Sequence, residues 1–229
     1  VIFRERIRSR TSRLSDGIIG IAFVPMTPLM FRHLSGTADP LEEARAAAVA
    51  AVGGTCAGAL DVVVLCPVGG REAPGDWRDP SRSGAVHGEP RSLAEQVGGH
   101  LLDLAGVDLP VRYVECTDGE PMSDFLDLLA PTCETAVIVL GDGAAARSQG
   151  APGHIDERSF AFDDAVAASL ESGDGESLAG LDATLAVELM VTGRHTWPVI
   201  GWLVPRGSGW LGWRGDPLGL TYFVAVWRP

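Results

Sequence analysis

Asp142, Arg147 and His154 stand close together in VIVLGDGAAARSQGAPGHID, a stretch that runs from apolar residues straight into glycine and alanine. A buried strand that delivers its chain end into such a loop is a common way to build a site. Asp142 or His154 could act there as a base, and Arg147 could anchor a carboxylate.

Other chemistries fail on details. A phosphate-cradling loop needs G-x-x-x-x-G-K-[ST], and the chain contains no lysine. A dinucleotide fingerprint needs G-x-G-x-x-G after the first strand, whereas Gly141-x-Gly143 follows the fourth and lacks the third glycine. His33, His87, His100, His154 and His195 form no H-x-H, H-x-x-x-H or H-E-x-x-H pair, so no local metal motif exists. No G-x-S-x-G elbow is present, and Ser148 lacks the strand–serine–helix context of a nucleophile. Cys66 ends an apolar run, which suits a buried thiol better than a nucleophile.

The elements that must position these residues are legible as periodicity. Four apolar runs have the length and β-branched content of buried strands: 18–24 (IIGIAFV), 60–66 (LDVVVLC), 111–116 (VRYVEC) and 136–140 (AVIVL). Helical patterns cover 40–52, 92–105 and 123–129 between them, and 160–172, 176–181 and 183–192 after the quoted loop. Residues 218–227 (LGLTYFVAVW) read as a final strand. This alternation predicts an α/β fold, three-layer α/β/α around a central, mostly parallel or mixed sheet. Ligands of such sheets bind outside the carboxyl ends of the strands. The stretch 72–90 reads as a surface loop near that edge. In WLVPRGSGWLGW, residues 202–213, three tryptophans either pack beneath the final strand or expose a patch for a partner.

Composition sets the outer bounds. The 229 residues are 46% apolar and 21% charged, which suits one globular domain. A net charge of −12 argues against general binding to nucleic acid or to an anionic membrane face. The first 16 residues carry five arginines against Glu5 and Asp16, a local +3 that leaves −15 on the rest. They read as a basic arm, either an anion-binding or targeting tail or a disordered, extraneous extension. Residues 17–229 form the expected domain. Cys56, Cys66, Cys116 and Cys133 contain no C-x-x-C pair and read as thiols of a reducing cytoplasm.

In order along the chain, VPMTPLM, DVVVLCPVGG, GDGAAARSQGAPGHID, FDDAVAASLESGD, LAVELMVTGR and GLTYFVAVW resemble the class III extradiol ring-cleavage dioxygenase superfamily, that of the protocatechuate 4,5-dioxygenase β-subunit. More specifically, the chain resembles its uncharacterised actinobacterial branch. The resemblance implies one Fe(II) held by two histidines and a carboxylate or third histidine, with a further histidine as acid/base. The first histidine follows the first strand in an H-P-P-like motif, and Met26 stands there. The second closes an S-P-H-like motif, and Val68 stands there. The acid/base histidine closes a G-D-x-S-H-like motif, and Ala145 stands there. The fourth position falls on Glu188, the one residue of the set still able to ligate a metal.

A thioether, an isopropyl group and a methyl cannot replace three imidazoles on Fe(II). The resemblance therefore implies a protein that has lost ring cleavage and its metal. Its cleft would be lined by Met26, Val68, Asp142, Ala145, Arg147 and Glu188, and would suit a small aromatic or apolar ligand or a partner, a second copy included. No cofactor is then expected. One alternative is an enzyme with a rearranged site, using Fe(II) or another divalent metal, or Asp142, Arg147, His154, Glu188 and His195. The other is a structural or interaction protein with a filled cleft.

Overall fold

The computed structural model describes residues 17–68, 92–117 and 134–229. The basic arm, the loop 72–90 with His87, the helix expected at 123–129 and Cys133 lie outside the described residues.

Six strands form one sheet: β1 (Ile18–Val24), β2 (Asp61–Pro67), β3 (Val111–Cys116), β4 (Thr135–Leu140), β5 (Ser208–Gly215) and β6 (Tyr222–Arg228). Their spatial order is β3-β2-β4-β1-β6-β5. β3, β2, β4 and β1 run parallel, whereas β6 and β5 continue the sheet antiparallel. The fold is α/β around a mixed sheet. Every residue of β4 is buried, as the continuous run TAVIVL requires for a strand covered on both faces.

Two helices cover one face. α1 (Glu42–Cys56) and α2 (Leu93–Leu104) set Ala48, Val52, Val97 and Leu101 against Ala22, Val24, Val64 and Ile138. Ser92 and Glu95 form a reciprocal capping box that starts α2 at its apolar pattern. The other face carries α3 (Arg158–Ser172), α4 (Gly175–Ala179), α5 (Ala183–Glu188) and α6 (Trp197–Leu203). Phe162, Val166, Leu170, Trp197 and Ile200 there meet Phe23, Val137, Val139 and Phe223. Trp227 donates its indole N–H to the Leu170 carbonyl at 2.7 Å, tying β6 to α3.

Three sequence expectations need correction. The final strand begins at Tyr222, because Leu218 sits in a left-handed turn at φ 63° and cannot continue a strand. β5 and α6 were not expected at all. β5 carries a bulge between Leu211 and Trp213, so its side chains do not alternate simply. Leu211 packs on the α3 face and Trp213 on the α1 face, while Trp210 is 64% exposed. α6 (WPVIGWL) is short and almost wholly buried, so it shows no amphipathic stripe.

After β1 and β2 the next helices, α1 and α2, lie on one face, whereas after β4 the next helix, α3, lies on the other. The carboxyl end of β4 is thus a switch point on both of its sides, where open α/β sheets leave a crevice for ligands.

Candidate functional site at the end of β4

Asp142 occupies that switch point. Parallel pairing aligns Val24 with Leu140, which brings the residues after β1 beside those after β4. The Met26 amide donates to Asp142 Oδ1 at 2.8 Å. No other hydrogen bond reaches this carboxyl among the described residues. Burial pushes the acid up to about 7, only partly offset by the Met26 amide. Tyr222, at the start of β6, lies close enough for an ionised Asp142 to disfavour its phenolate. Burial first, and then Asp142, pushes the Tyr222 phenol up to about 12, while the Thr27 hydroxyl works against the rise.

A turn from the far side of the molecule closes over the strand end. Thr192 Oγ1 accepts from the Asp142 amide at 2.8 Å, the Gly193 amide donates to the Asp142 carbonyl at 3.0 Å, and Thr196 Oγ1 donates to the Leu140 carbonyl at 2.8 Å. These bonds satisfy backbone groups that the sheet leaves open at its end. The same turn, Thr192–His195, brings His195 to this edge in buried form.

The other expected site residues are distributed. Met26 is buried in the α1–α2 side of the core. Val68 is half-buried just beyond β2, its amide donating to the Cys116 carbonyl at 3.0 Å. Beside it, a cavity of about 230 Å³ opens at the ends of β2 and β3, lined by Cys66, Ser92, Glu95, Tyr113 and Glu115. Ala145 is buried, donating to the Leu189 carbonyl and accepting from the Gly153 amide. Ala144 and Arg147 pair along the backbone with Thr221 and Gly219, so the loop after β4 is stitched down on two sides.

Arg147 turns to the opposite face from Asp142. Its guanidinium lies 3.9 Å from the Phe160 ring centroid and donates to Asp216 at 3.1 Å, with Asp163 at 3.9 Å. Asp163 is fully buried. It accepts from the Ala144 amide and the Thr221 hydroxyl, and burial raises its pKa against those bonds and against Arg147 and Arg214. Arg147 is therefore engaged in holding the loop. His154 stands on the surface at φ 54°, its Nδ1 3.3 Å from the Gln149 carbonyl. Glu188 is half-exposed at the end of α5 and accepts from Arg158 at 2.7 Å, and Arg158 also binds Asp156.

The structure thus brings Met26 and Asp142 together, seals Ala145 beside them, and leaves His154 and Glu188 on the surface. It adds Thr27, Thr192 and Tyr222, which sequence reasoning did not single out. Tyr222 is visible in the sequence only as strand content, because nothing local says that β6 lies beside β1. Among the described residues, no three His, Cys, Asp or Glu side chains converge where a metal could be held. Fe(II), the group implied by the resemblance, calls for converging imidazole and carboxylate donors, and the described residues at the end of β4 supply no such set of three.

No protein-family model matches the chain, and no curated protein matches it.

Proposed function

We propose that this chain is an extradiol dioxygenase-like α/β protein that has lost ring cleavage and keeps the switch-point crevice at β4 for a small ligand. One observation carries the reading. At the positions that resemble the superfamily's histidines stand Met26, Val68 and Ala145, and the remaining position, Glu188, is spent on an ion pair with Arg158. Met26, joined to Asp142, gives the end of β4 an apolar side suited to an aromatic or aliphatic body, and Asp142 supplies a polar contact. Cys56, Cys66 and Cys116 are buried, and we read them as thiols of a reducing cytoplasm.

A second reading, small-molecule chemistry without iron, is favoured by Asp142 alone. A buried carboxyl pushed up to about 7 has the protonation range of a general base or acid.

The test is metal content followed by ligand screening. Protein purified without chelator should carry iron and zinc far below one per chain, and should consume no oxygen with catechols after Fe(II) addition. Small aromatic compounds should raise its melting temperature. One iron per chain with catechol-dependent oxygen uptake overturns the first reading. An unchanged melting temperature across the panel leaves the filled cleft as the better description.

A further inference from the structure

We propose that the cavity at the carboxyl ends of β2 and β3 is a binding site for a small organic cation, whose ammonium groups are taken up by Glu95 and Glu115. It lies apart from the end of β4 and does not depend on what binds there.

The strand register builds one wall of this cavity. Parallel pairing sets Val64 beside Tyr113 and Cys66 beside Glu115. Paired residues project from the same face of a sheet, and side chains alternate along each strand. Cys66, Tyr113 and Glu115 therefore share the face that α2 covers. Gly98 and Gly99 let α2 settle onto that face. A Cβ on Gly98 would fall 2.9 Å from Val64 Cγ1, and one on Gly99 would fall 3.1 Å from the Tyr113 hydroxyl. Toward its first turn the helix leaves the cavity of about 230 Å³ open, and Ser92 and Glu95 line it from that side.

The lining narrows the ligand. All five lining side chains carry a polar atom, and the two with a formal charge are both carboxylates. An anion would be repelled there, and an apolar body would strip water from the carboxylates without replacing its bonds. The start of α2 is already capped: Glu95 Oε2 accepts from the Ser92 amide at 2.8 Å, and the Glu95 amide donates to the Ser92 hydroxyl at 3.2 Å. Oε1 of the same carboxylate is left to face a ligand. Cys66, 2% exposed, feels both acids: burial first, and then Glu95, Cys116 and Glu115, push its thiol up. The negative field thus comes from the helix and the strand together.

A bare metal ion is the poorer fit. Among the described residues, no three His, Cys, Asp or Glu side chains converge where an ion could be held. A short carbon chain with ammonium groups can span donors that stand too far apart for one ion. A volume of about 230 Å³ lies below the roughly 300 Å³ at which pockets for drug-sized ligands begin, which limits the chain to a few carbons. The net charge of −12 also favours the approach of cations.

The chain has two tyrosines, and each reports on one place: Tyr113 lines this cavity, and Tyr222 lies beside Asp142. The full chain, ¹³C-labelled in tyrosine, is titrated with 1,4-diaminobutane and separately with succinate. The diamine should shift the Tyr113 signals saturably and leave Tyr222 in place, while succinate moves neither. Glu95→Gln and Glu115→Gln remove one charge each, and glutamine serves a capping box as glutamate does. Each should weaken diamine binding about tenfold, the loss expected for one charged hydrogen bond. Melting curves establish that both variants fold. Absence of a saturable Tyr113 shift, equal binding of succinate, or unchanged affinity in both variants overturns the proposal. So does Mn²⁺ acting on Tyr113 at lower concentration than the diamine, which would make this a metal site. A diamine shift at Tyr222 alone would place the cation at β4 instead. Small aromatic compounds are read at Tyr222, so this proposal and the small-ligand reading of β4 can each fail without the other.

Discussion

Gly141, at the end of β4, lies backbone to backbone against Gly193: a Cβ on Gly141 would fall 2.6 Å from the Gly193 Cα, and one on Gly193 would meet the Trp197 ring at 2.2 Å. The covering turn can approach the strand end only because neither residue has a side chain.

This contact predicts opposite signs for three Gly→Ala substitutions. Gly141→Ala and Gly193→Ala should each destabilise by about 1–3 kcal/mol or more, because backbone or a buried indole must move. Gly54→Ala should stabilise by roughly 0.5–1 kcal/mol, since it lies within α1 with open space around it. Urea unfolding of the three variants reads the difference. Equal effects at Gly54 and Gly193 would refute the close approach.

The segment after β1 is held from its other end by Arg45 of α1. The buried guanidinium donates to both oxygens of Asp39 and to the Met30 and Leu29 carbonyls at 2.8–2.9 Å. Arg45→Met leaves Asp39 and two carbonyls without these partners and should cost about 3–5 kcal/mol. The Arg45 side chain holds the Asp39 carboxyl below its ordinary range. The stability this pair contributes is present above the unfolded carboxylate range and is lost as the pH falls through the folded pKa. The difference between wild type and variant in chemical denaturation should therefore narrow in acid, down to the share of the two carbonyls.

Asp142 has the opposite sign. Its folded pKa is raised to about 7 by burial, so its contribution to stability is fully present below the unfolded value. That contribution is lost as the pH rises through 7. Asp142→Asn, always neutral, should be close to wild type near pH 4. It should gain on wild type up to pH 7 and then hold a constant advantage, on the order of 4 kcal/mol. Denaturation midpoints taken across pH 4–8 check this, and a constant difference over that range would contradict a buried neutral acid.

Glu188 is expected to be dispensable to the crevice. It is ion-paired with Arg158 at the surface, so Glu188→Ala should leave the unfolding midpoint nearly unchanged. It should also leave the thermal shift by small aromatic compounds as it is. A large loss of ligand affinity in this variant would return Glu188 to the site.

The local periodicity of the chain was enough to determine the parallel half of the sheet. IIGIAFV and VRYVEC occupy β1 and β3 at the bounds their composition predicts, and TAVIVL is buried throughout, because continuous β-branched runs have few other stable placements. That Met26, Val68 and Ala145 offer no imidazole was also visible, since side-chain chemistry does not depend on folding. Tertiary structure alone decided which polar groups meet. Asp142 and Met26 are 116 residues apart, and parallel pairing of β1 with β4 joins them. Tyr222 and the Thr192–His195 turn arrive through antiparallel β6 and an unpredicted helix. The same folding left His154, read from the same loop as Asp142, on the surface. Sequence proximity places residues on one loop, but only the switch in helix side after β4 determines which of them faces the crevice.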